Sequence, residues 1–407
     1  MFLRFLAAHN RALIDYGVFL LENGLIESDT YVLDLDGIEE NARRIQDLSV
    51  KNKLCLYFMV KQLGRNPEVA RRVLAAGQAT NIAQALSPAQ GFTGMVAVDF
   101  REAQILHSAG LPVRHLGHLC QVPRNGWDAA LDMKPEVITL FSIEKARELS
   151  EAALRRGLVQ KALLRIRDDG DIFYQGQEGG FSIKKLGETL DTFEKLRGVE
   201  AAGLTSFPCF LHQPDQGRAL PTPNAHTLVR GAAILKERGI PFSQINMPSC
   251  NSPATIPLAA SLGATHLEPG HSLTGTNPDN LDEAEPLIPA LLYMSEISHN
   301  HEGCSYCFGG GHYRRSNLRF ALVKTSSGYR ETGMLPPDPE TIDYHLRLSG
   351  LFPPGSPVCM SFRTQIFVTR SRVALVEGLS RSRPLLHSIW DSQGRIVQGS
   401  FYSGSRT

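Results

Sequence analysis

Leu54-Cys55-Leu56-Tyr57-Phe58-Met59-Val60-Lys61 is a run of seven apolar or aromatic residues closed by a lysine. Lys51 and Lys53 bound it upstream, and it is too short to span a bilayer, so it reads as a strand buried on both faces. Gln62-Leu63-Gly64-Arg65-Asn66-Pro67 then forms a turn. An ammonium at the end of a buried strand is costly to desolvate; its pKa falls and the neutral amine becomes a nucleophile. The same lysine can instead snorkel out of the strand end into water, and on this stretch alone that is the simpler account.

Downstream, the pattern repeats. After a helix over Pro67–Ala76 that ends at Gly77, further apolar strands are expected at Met95–Val98, Val113–Leu119, Val137–Phe141, Ala162–Ile166, Ala201–Thr205, Ser243–Met247 and Thr265–Leu267. Helical patterns separate them at Phe100–Ala109, Ile143–Arg156, Lys184–Leu196, Ala225–Arg238 and Pro253–Leu262. With the Lys61 strand these make eight strand–helix units, the count of a (β/α)8 TIM-type barrel. Within Gln78–Gly91, Thr80–Ala83 reads equally as an extra strand, and a doubly wound sheet is then the rival.

Upstream, Tyr31-Val32-Leu33-Asp34-Leu35 alternates like a strand, with Asp36 placed to cap a helix over Gly37–Leu48. Met1–Ala8 is apolar, but His9, Asn10, Arg11 and Asp15 interrupt any signal-peptide core, so residues 1–27 read as an amphipathic helical lead-in. After Pro278 the pattern changes. Asp279–Pro286 is an acidic, turn-rich linker, and Leu318–Lys324, Val358–Val368 and Val373–Glu377 are short alternating segments. They suit a mostly antiparallel β domain, with one helix expected near Thr341–Leu348.

The chain has 407 residues, 42% of them hydrophobic, which is ample for a barrel-sized core. A net charge of +1 marks no nucleic-acid or membrane surface, and no stretch has transmembrane length. Seven irregularly spaced cysteines form no disulfide framework and favour a reducing, cytoplasmic setting.

The order of strand–Lys61–turn–helix, Leu164-Arg165-Ile166, Asn251-Ser252 after a strand, and Glu268-Pro269-Gly270 resembles the alanine racemase-like, fold type III pyridoxal 5'-phosphate (PLP) enzymes. The whole chain is most similar to their YhfX group. Each motif is short, and their specificity lies in their order. The resemblance implies three parts: a lead-in and strand joining the β domain over 1–36, a PLP-binding barrel over 37–280, and a C-terminal β domain over 285–407. It also implies a homodimer in which the β domain of one chain closes the barrel of the other.

Strand C-termini carry the chemistry of such barrels, and Lys61, His118, Arg165, Phe207, Asn251 and Glu268 fall there. Lys61 matches the family's Schiff-base lysine, whose released amine can act as a base at Cα. Ser249-Cys250-Asn251-Ser252 before Pro253, and Gly270-His271-Ser272-Leu273-Thr274-Gly275, supply hydroxyls and backbone N–H groups. Each alone is a common cap or turn; as a pair, the resemblance makes them the phosphate site, with Asn251, Ser252, Gly270 and Thr274.

Glu268 corresponds to an arginine in alanine racemases and to a glutamate in the ornithine-decarboxylase-like branch. A carboxylate facing the pyridine nitrogen keeps it protonated and strengthens the electron sink; a strand-end glutamate paired with Arg or Lys at the rim is the plain alternative. Phe207 stands where the family commonly has histidine, which keeps stacking and removes a proton relay. Arg165 is expected at the O3′ side of the cofactor. His118 reads more simply as a core histidine.

In the β domain, His299, His301, Cys304, Tyr306, Cys307, His312 and Tyr313 cluster around Gly309-Gly310-Gly311. Their spacing fits no zinc pattern, so no metal is expected, although D-serine-dehydratase relatives use one. The resemblance implies an opposite-face acid/base here, with Tyr306, Cys307, His312 and Tyr313 as candidates.

These residues point to a PLP-dependent enzyme acting at Cα of an amino acid, an amino-acid racemase first. A lyase of the D-threonine aldolase or D-serine dehydratase type, or a decarboxylase, is the alternative. The decarboxylases' acidic Cys-Asp motif is missing around Cys304–Gly311 and Val358-Cys359-Met360. A non-catalytic PLP carrier fits less, because such single-barrel proteins lack a second domain.

Overall fold

The computed structural model describes residues 1–78, 90–281, 286–311, 313, 315–338 and 340–399. The chain forms two compact units that interleave in sequence. One comprises Met1–Ala42, Lys61–Val73 and His271–Thr407, the other Arg43–Val60 and Leu74–Gly270.

The second unit is a closed parallel barrel. Its strands, numbered here in chain order, are β1 (Cys55–Met59), β2 (Gly91–Ala97), β3 (Val113–Leu116), β4 (Val137–Leu140), β5 (Gln160–Arg167), β6 (Val199–Thr205), β7 (Gln244–Asn246) and β8 (His266–Leu267). Each pairs with the next, and β8 returns to β1 through His266↔Cys55 and Leu267↔Leu56. That closure excludes the doubly wound sheet; Thr80–Ala83 lies outside the described residues.

Alternation along β1 explains its wholly apolar sequence. Tyr57 and Met59 join Val96, Val98, Val137, Leu163 and Ala202 in one buried cluster drawn from five strands or their ends. Phe58, on the opposite face, meets Phe92 edge-on with ring centroids 5.5 Å apart.

The helices follow their caps. Asp99 accepts from Glu102 N to start Phe100–Ser108, and Ser142 accepts from Lys145 N to start Ile143–Arg155. The expected Lys184–Leu196 helix divides into a 3-10 turn, Ile183–Lys185, and a helix, Leu186–Phe193. The helix expected from Pro253 begins only at Ile256 and ends at Ser261. Thr255 Oγ1 accepts from Ser252 N (2.9 Å) and donates to Cys250 O (2.7 Å), which holds the preceding residues in a turn.

The first unit is built on a sheet in the order Gly328–Gly333, Phe320–Thr325, Pro357–Met360, Leu291–His301, Thr30–Asp34, Arg372–Glu377, Leu385–Asp391, Ile396–Gln398. Cys304–Phe308 pairs with Leu291–His301 and with His345–Ser349. Every pairing is antiparallel except Thr30–Asp34 with Arg372–Glu377.

The single lead-in is two helices, Phe2–His9 and Arg11–Glu22. Asn10 breaks them because its amide donates to Asp34 Oδ2 (2.8 Å) and Pro289 O (3.1 Å). Leu6, Leu13, Ile14 and Val18 pack on Val32, Leu292, Met294 and Ala374 of the sheet. A Cβ at Gly17 would lie 2.5 Å from Leu292 Cδ2. This close approach explains a residue that otherwise costs a helix roughly 0.5–1 kcal/mol relative to alanine.

Two local expectations are corrected. Asp36 does not cap its helix, which already begins at Leu35; its carboxylate accepts from the backbone and hydroxyl of Ser380 (3.2 and 2.6 Å). The helix near Thr341–Leu348 is replaced by the strand His345–Ser349, in which Leu346 and Leu348 are buried between outward-facing neighbours. A period of two with a buried face outweighs local helix propensity. No helix among the described residues is long and apolar enough to cross a membrane.

Candidate active site

Glu268 directly follows β8. The next residue, Pro269, accepts at its carbonyl from Met59 N (2.9 Å), so the ends of β8 and β1 are fastened together two residues before Lys61. The Glu268 side chain has no solvent exposure. Its Oε1 lies 2.5 Å from His115 Nδ1 and accepts from Asn246 Nδ2 at 2.6 Å. Its Oε2 is 3.2 Å from His118 Nδ1, an ion-pair contact.

Burial pushes this carboxyl up. The charges of His118 and His115 and the hydrogen bonds from His115 and Asn246 outweigh it and bring it down to about 2. A rim salt bridge to Arg or Lys is not what the structure shows.

His115 and Asn246 are the residues that sequence reasoning missed. The available signal was alternation: in Val113-Arg114-His115-Leu116 only Arg114 is exposed, which turns His115 into the barrel. The other ring nitrogen of His115 lies 2.6 Å from Thr139 Oγ1 on β4. His118 is buried too, its ring edge-on to Phe207 at 5.3 Å between centroids; Phe207 in turn meets Tyr174 at 5.6 Å. Residues from β3 or just after it and from β7 thus meet the carboxylate that follows β8.

Arg165, on β5, is 1% exposed. Its Nη2 donates to Gln177 O (2.6 Å) and its guanidinium lies 4.7 Å from the Phe141 ring centroid, while Nε and Nη1 meet no hydrogen-bond acceptor among the described residues. Burial lowers its pKa to about 10. Thr205 Oγ1, at the end of β6, is likewise buried without a partner. Buried guanidinium N–H groups are expensive to leave unmatched, so an anionic oxygen is the complement these atoms lack.

The other predicted residues divide between the units. Asn251 is in the barrel, where it donates to Met247 O (3.0 Å) and accepts from Glu268 N (2.8 Å). Ser252, the next residue in the chain, and Gly270, two residues after Glu268, are both buried. Thr274, in the first unit, donates to His271 O (3.0 Å). Lys61 is half-buried and opens the 3-10 turn Lys61–Leu63, which Thr364 Oγ1 fastens by donating to Gln62 O (2.9 Å).

Tyr306 is half-buried and stacks on His299, with centroids 4.7 Å apart. Cys307 is fully buried, and burial pushes its thiol to about 12. His312 lies outside the described residues.

Residues 33–278 match the family described as alanine racemase, N-terminal domain, and residues 292–386 match YhfX-like, C-terminal domain. The chain is 44% identical over 399 residues to the uncharacterized protein YhfX of Escherichia coli (strain K12), covering 98% of this chain and all of that one. Among solved structures it is similar to D-threonine aldolase from Filomicrobium marinum (TM-score 0.65, 16% identity, 91% of this chain and 95% of that one). It is similar also to alanine racemase of Clostridium difficile 630 in complex with cycloserine (TM-score 0.60, 17% identity, 90% and 99%). D-threo-3-hydroxyaspartate dehydratase from Delftia sp. HT23 has the same fold (TM-score 0.63, 16% identity, 93% and 98%).

Members of this family typically bind PLP. With both domain families matched and one relative aligned end to end, the chain belongs to the alanine racemase-like fold type III family, in its YhfX branch.

Proposed function

We propose that this chain is a PLP-dependent enzyme acting at the Cα of an amino acid, as an amino-acid racemase, with Lys61 as the lysine that holds the cofactor. The observation that carries the reading is Glu268: a fully buried carboxylate, held ionised, at the end of a barrel strand. A carboxylate there suits the cofactor's ring nitrogen, which a negative neighbour keeps protonated. Arg165, with Nε and Nη1 unmatched, suits an anionic oxygen of the cofactor, and Phe207 offers a ring face. The residues present therefore fit PLP, with Asn251, Ser252, Gly270 and Thr274 as the small and polar residues toward its phosphate.

PLP, when bound, supplies the sink for negative charge that develops at Cα. Lys61, once its amine is released, takes a proton from one face of Cα. Tyr306 is our choice to return a proton on the other face; Cys307, held protonated by burial, is the weaker candidate. Relatives are often dimers, and we propose a homodimer here.

The test is an absorbance spectrum of the purified protein after PLP addition, followed by NMR of D- and L-amino acids incubated with it in D2O. Lysine-bound PLP and deuterium exchange at Cα with both enantiomers are expected. A protein that stays colourless and exchanges nothing sinks the reading.

One observation favours a second reading. Ligand atoms of His115, His118 and Glu268 lie within 4.8 Å of one another, a set able to hold a metal ion. A stoichiometric metal would favour a lyase over a racemase.

A further inference from the structure

We infer that Arg363 is a substrate-binding residue: with Arg315 beside it, its guanidinium takes a carboxylate of the amino acid that reaches Lys61. This rests on the functional reading above and adds to it the residue that holds the substrate's acid group.

The first argument is connectivity. Lys61, His271, Arg315 and Arg363 come from segments far apart in sequence, yet all four belong to one compact unit. Neighbours in the chain fasten them together. Thr364 Oγ1 donates to Gln62 O at 2.9 Å, which ties the residue after Arg363 to the residue after Lys61. His271 Nε2 donates to the carbonyl of the same threonine at 3.0 Å. Arg363 N donates to Ser316 O at 2.9 Å, which brings in Arg315. Thr364 is 1% exposed, so the bonds that meet on it lie inside the protein and fix the backbone from which the long cationic side chains extend.

The second argument is charge. Burial, and then the charges of Arg363, Lys61 and Arg315, hold the His271 imidazole well below its ordinary value. Three cations thus share the surroundings of one ring. Gathering like charges costs free energy, and an anion placed among them offsets that cost.

The third argument is an open donor. Arg363 is half-buried, and its Nε is buried without a hydrogen-bond acceptor among the described residues. Ser272, next to His271 and 1% exposed, has a hydroxyl that is equally unmatched. A buried guanidinium N–H is expensive to leave unmade, and Nε with a neighbouring Nη forms the edge of the fork that grips both oxygens of one carboxylate.

A phosphate could also satisfy such donors. In the reading above, however, Asn251, Ser252, Gly270 and Thr274 serve the phosphate of the cofactor. The anion left for Arg363 is the carboxylate that the substrate brings.

The test follows the absorbance of the PLP-loaded full chain as amino acids are added. Aspartate, glutamate and alanine of both hands are compared with their α-amides, and the first two also with asparagine and glutamine. Arg363→Gln should weaken the binding of one or more of these amino acids by about tenfold or more, while PLP affinity changes by less than about twofold. The amides say which carboxylate is held, because the amide lacking that group binds parent and variant alike. Should Arg363→Gln fail to fold, Arg363→Lys decides; it keeps the charge, loses the planar fork, and should still bind these amino acids more weakly than the parent. Equal binding of every amino acid by parent and variant overturns the proposal and leaves the functional reading standing. Weaker PLP binding with amino-acid binding unchanged assigns Arg363 to the cofactor's phosphate and overturns the proposal as well. A parent that binds no PLP, or that answers to no amino acid once loaded, overturns both.

Discussion

The backbone N–H of Glu268 donates to Oδ1 of Asn251 at 2.8 Å. Asn251 Nδ2 is in turn bound to Met247 O, so one buried amide ties the turn after β7 to the residue after β8. Asn251 thereby holds the main chain of the residue whose side chain carries the site's buried charge.

Asn251→Ala leaves that buried N–H without an acceptor. The expected cost is about 1–3 kcal/mol, seen as a lower urea midpoint at an unchanged slope. A variant as stable as the parent would mean that water or another group takes over the N–H at no cost.

Lys61→Ala removes one half-buried side chain and leaves the buried strand before it untouched. The protein should stay folded by circular dichroism and lose its borohydride-reducible link to PLP. Parental levels of reduced adduct in the variant would place the anchor on another lysine.

Glu268→Gln keeps the shape and removes the charge that holds a proton at the ring nitrogen. Deuterium exchange at Cα should slow by at least about tenfold, equivalent to about 1.4 kcal/mol at the transition state, while PLP stays attached to Lys61. An unchanged exchange rate would show that Glu268 does not serve the ring.

Burial lowers His266 from 6.5 to about 4. The unfolded chain binds this proton first, so the residue's contribution to stability is full above pH 6.5 and is lost as pH falls toward 4. Its size is at most about 3 kcal/mol. Asp34, pushed up to about 6 by burial, acts oppositely, contributing below its unfolded value and fading as pH rises through 6. His266→Gln should therefore flatten the acid side of a plot of unfolding free energy against pH. If parent and variant run parallel from pH 7 to 4, the ring is already protonated inside the barrel.

The barrel is legible in the sequence because each strand is a short apolar run followed by a helical pattern. Closure through β8 and β1 then leaves one arrangement for the eight units. Glu268 is legible through the triplet it begins. His115 and Asn246 are not, because their meeting with Glu268 depends on how three strands far apart in sequence align around a ring. A solitary histidine inside a strand carries no mark of that alignment.

His345–Ser349 fails as a helix for a related reason: the strand it joins, Cys304–Phe308, lies roughly forty residues earlier. The short Ile256–Ser261 helix depends on Thr255, whose hydroxyl binds backward into the turn, as threonine commonly does near helix starts.

Thr30–Asp34 lies in the middle of its sheet, between Leu291–His301 and Arg372–Glu377. During synthesis, this segment leaves the ribosome long before either neighbour exists. The second neighbour follows roughly 340 residues later, which at about 5–20 residues per second is tens of seconds. Over that interval an apolar strand has both edges open, a template for pairing with any other nascent chain. The two helices ahead of it, whose apolar faces end up on the same sheet, are the natural transient cover. Deleting them should therefore impair the yield of soluble protein in the cell far more than it slows refolding of the same purified variant at high dilution.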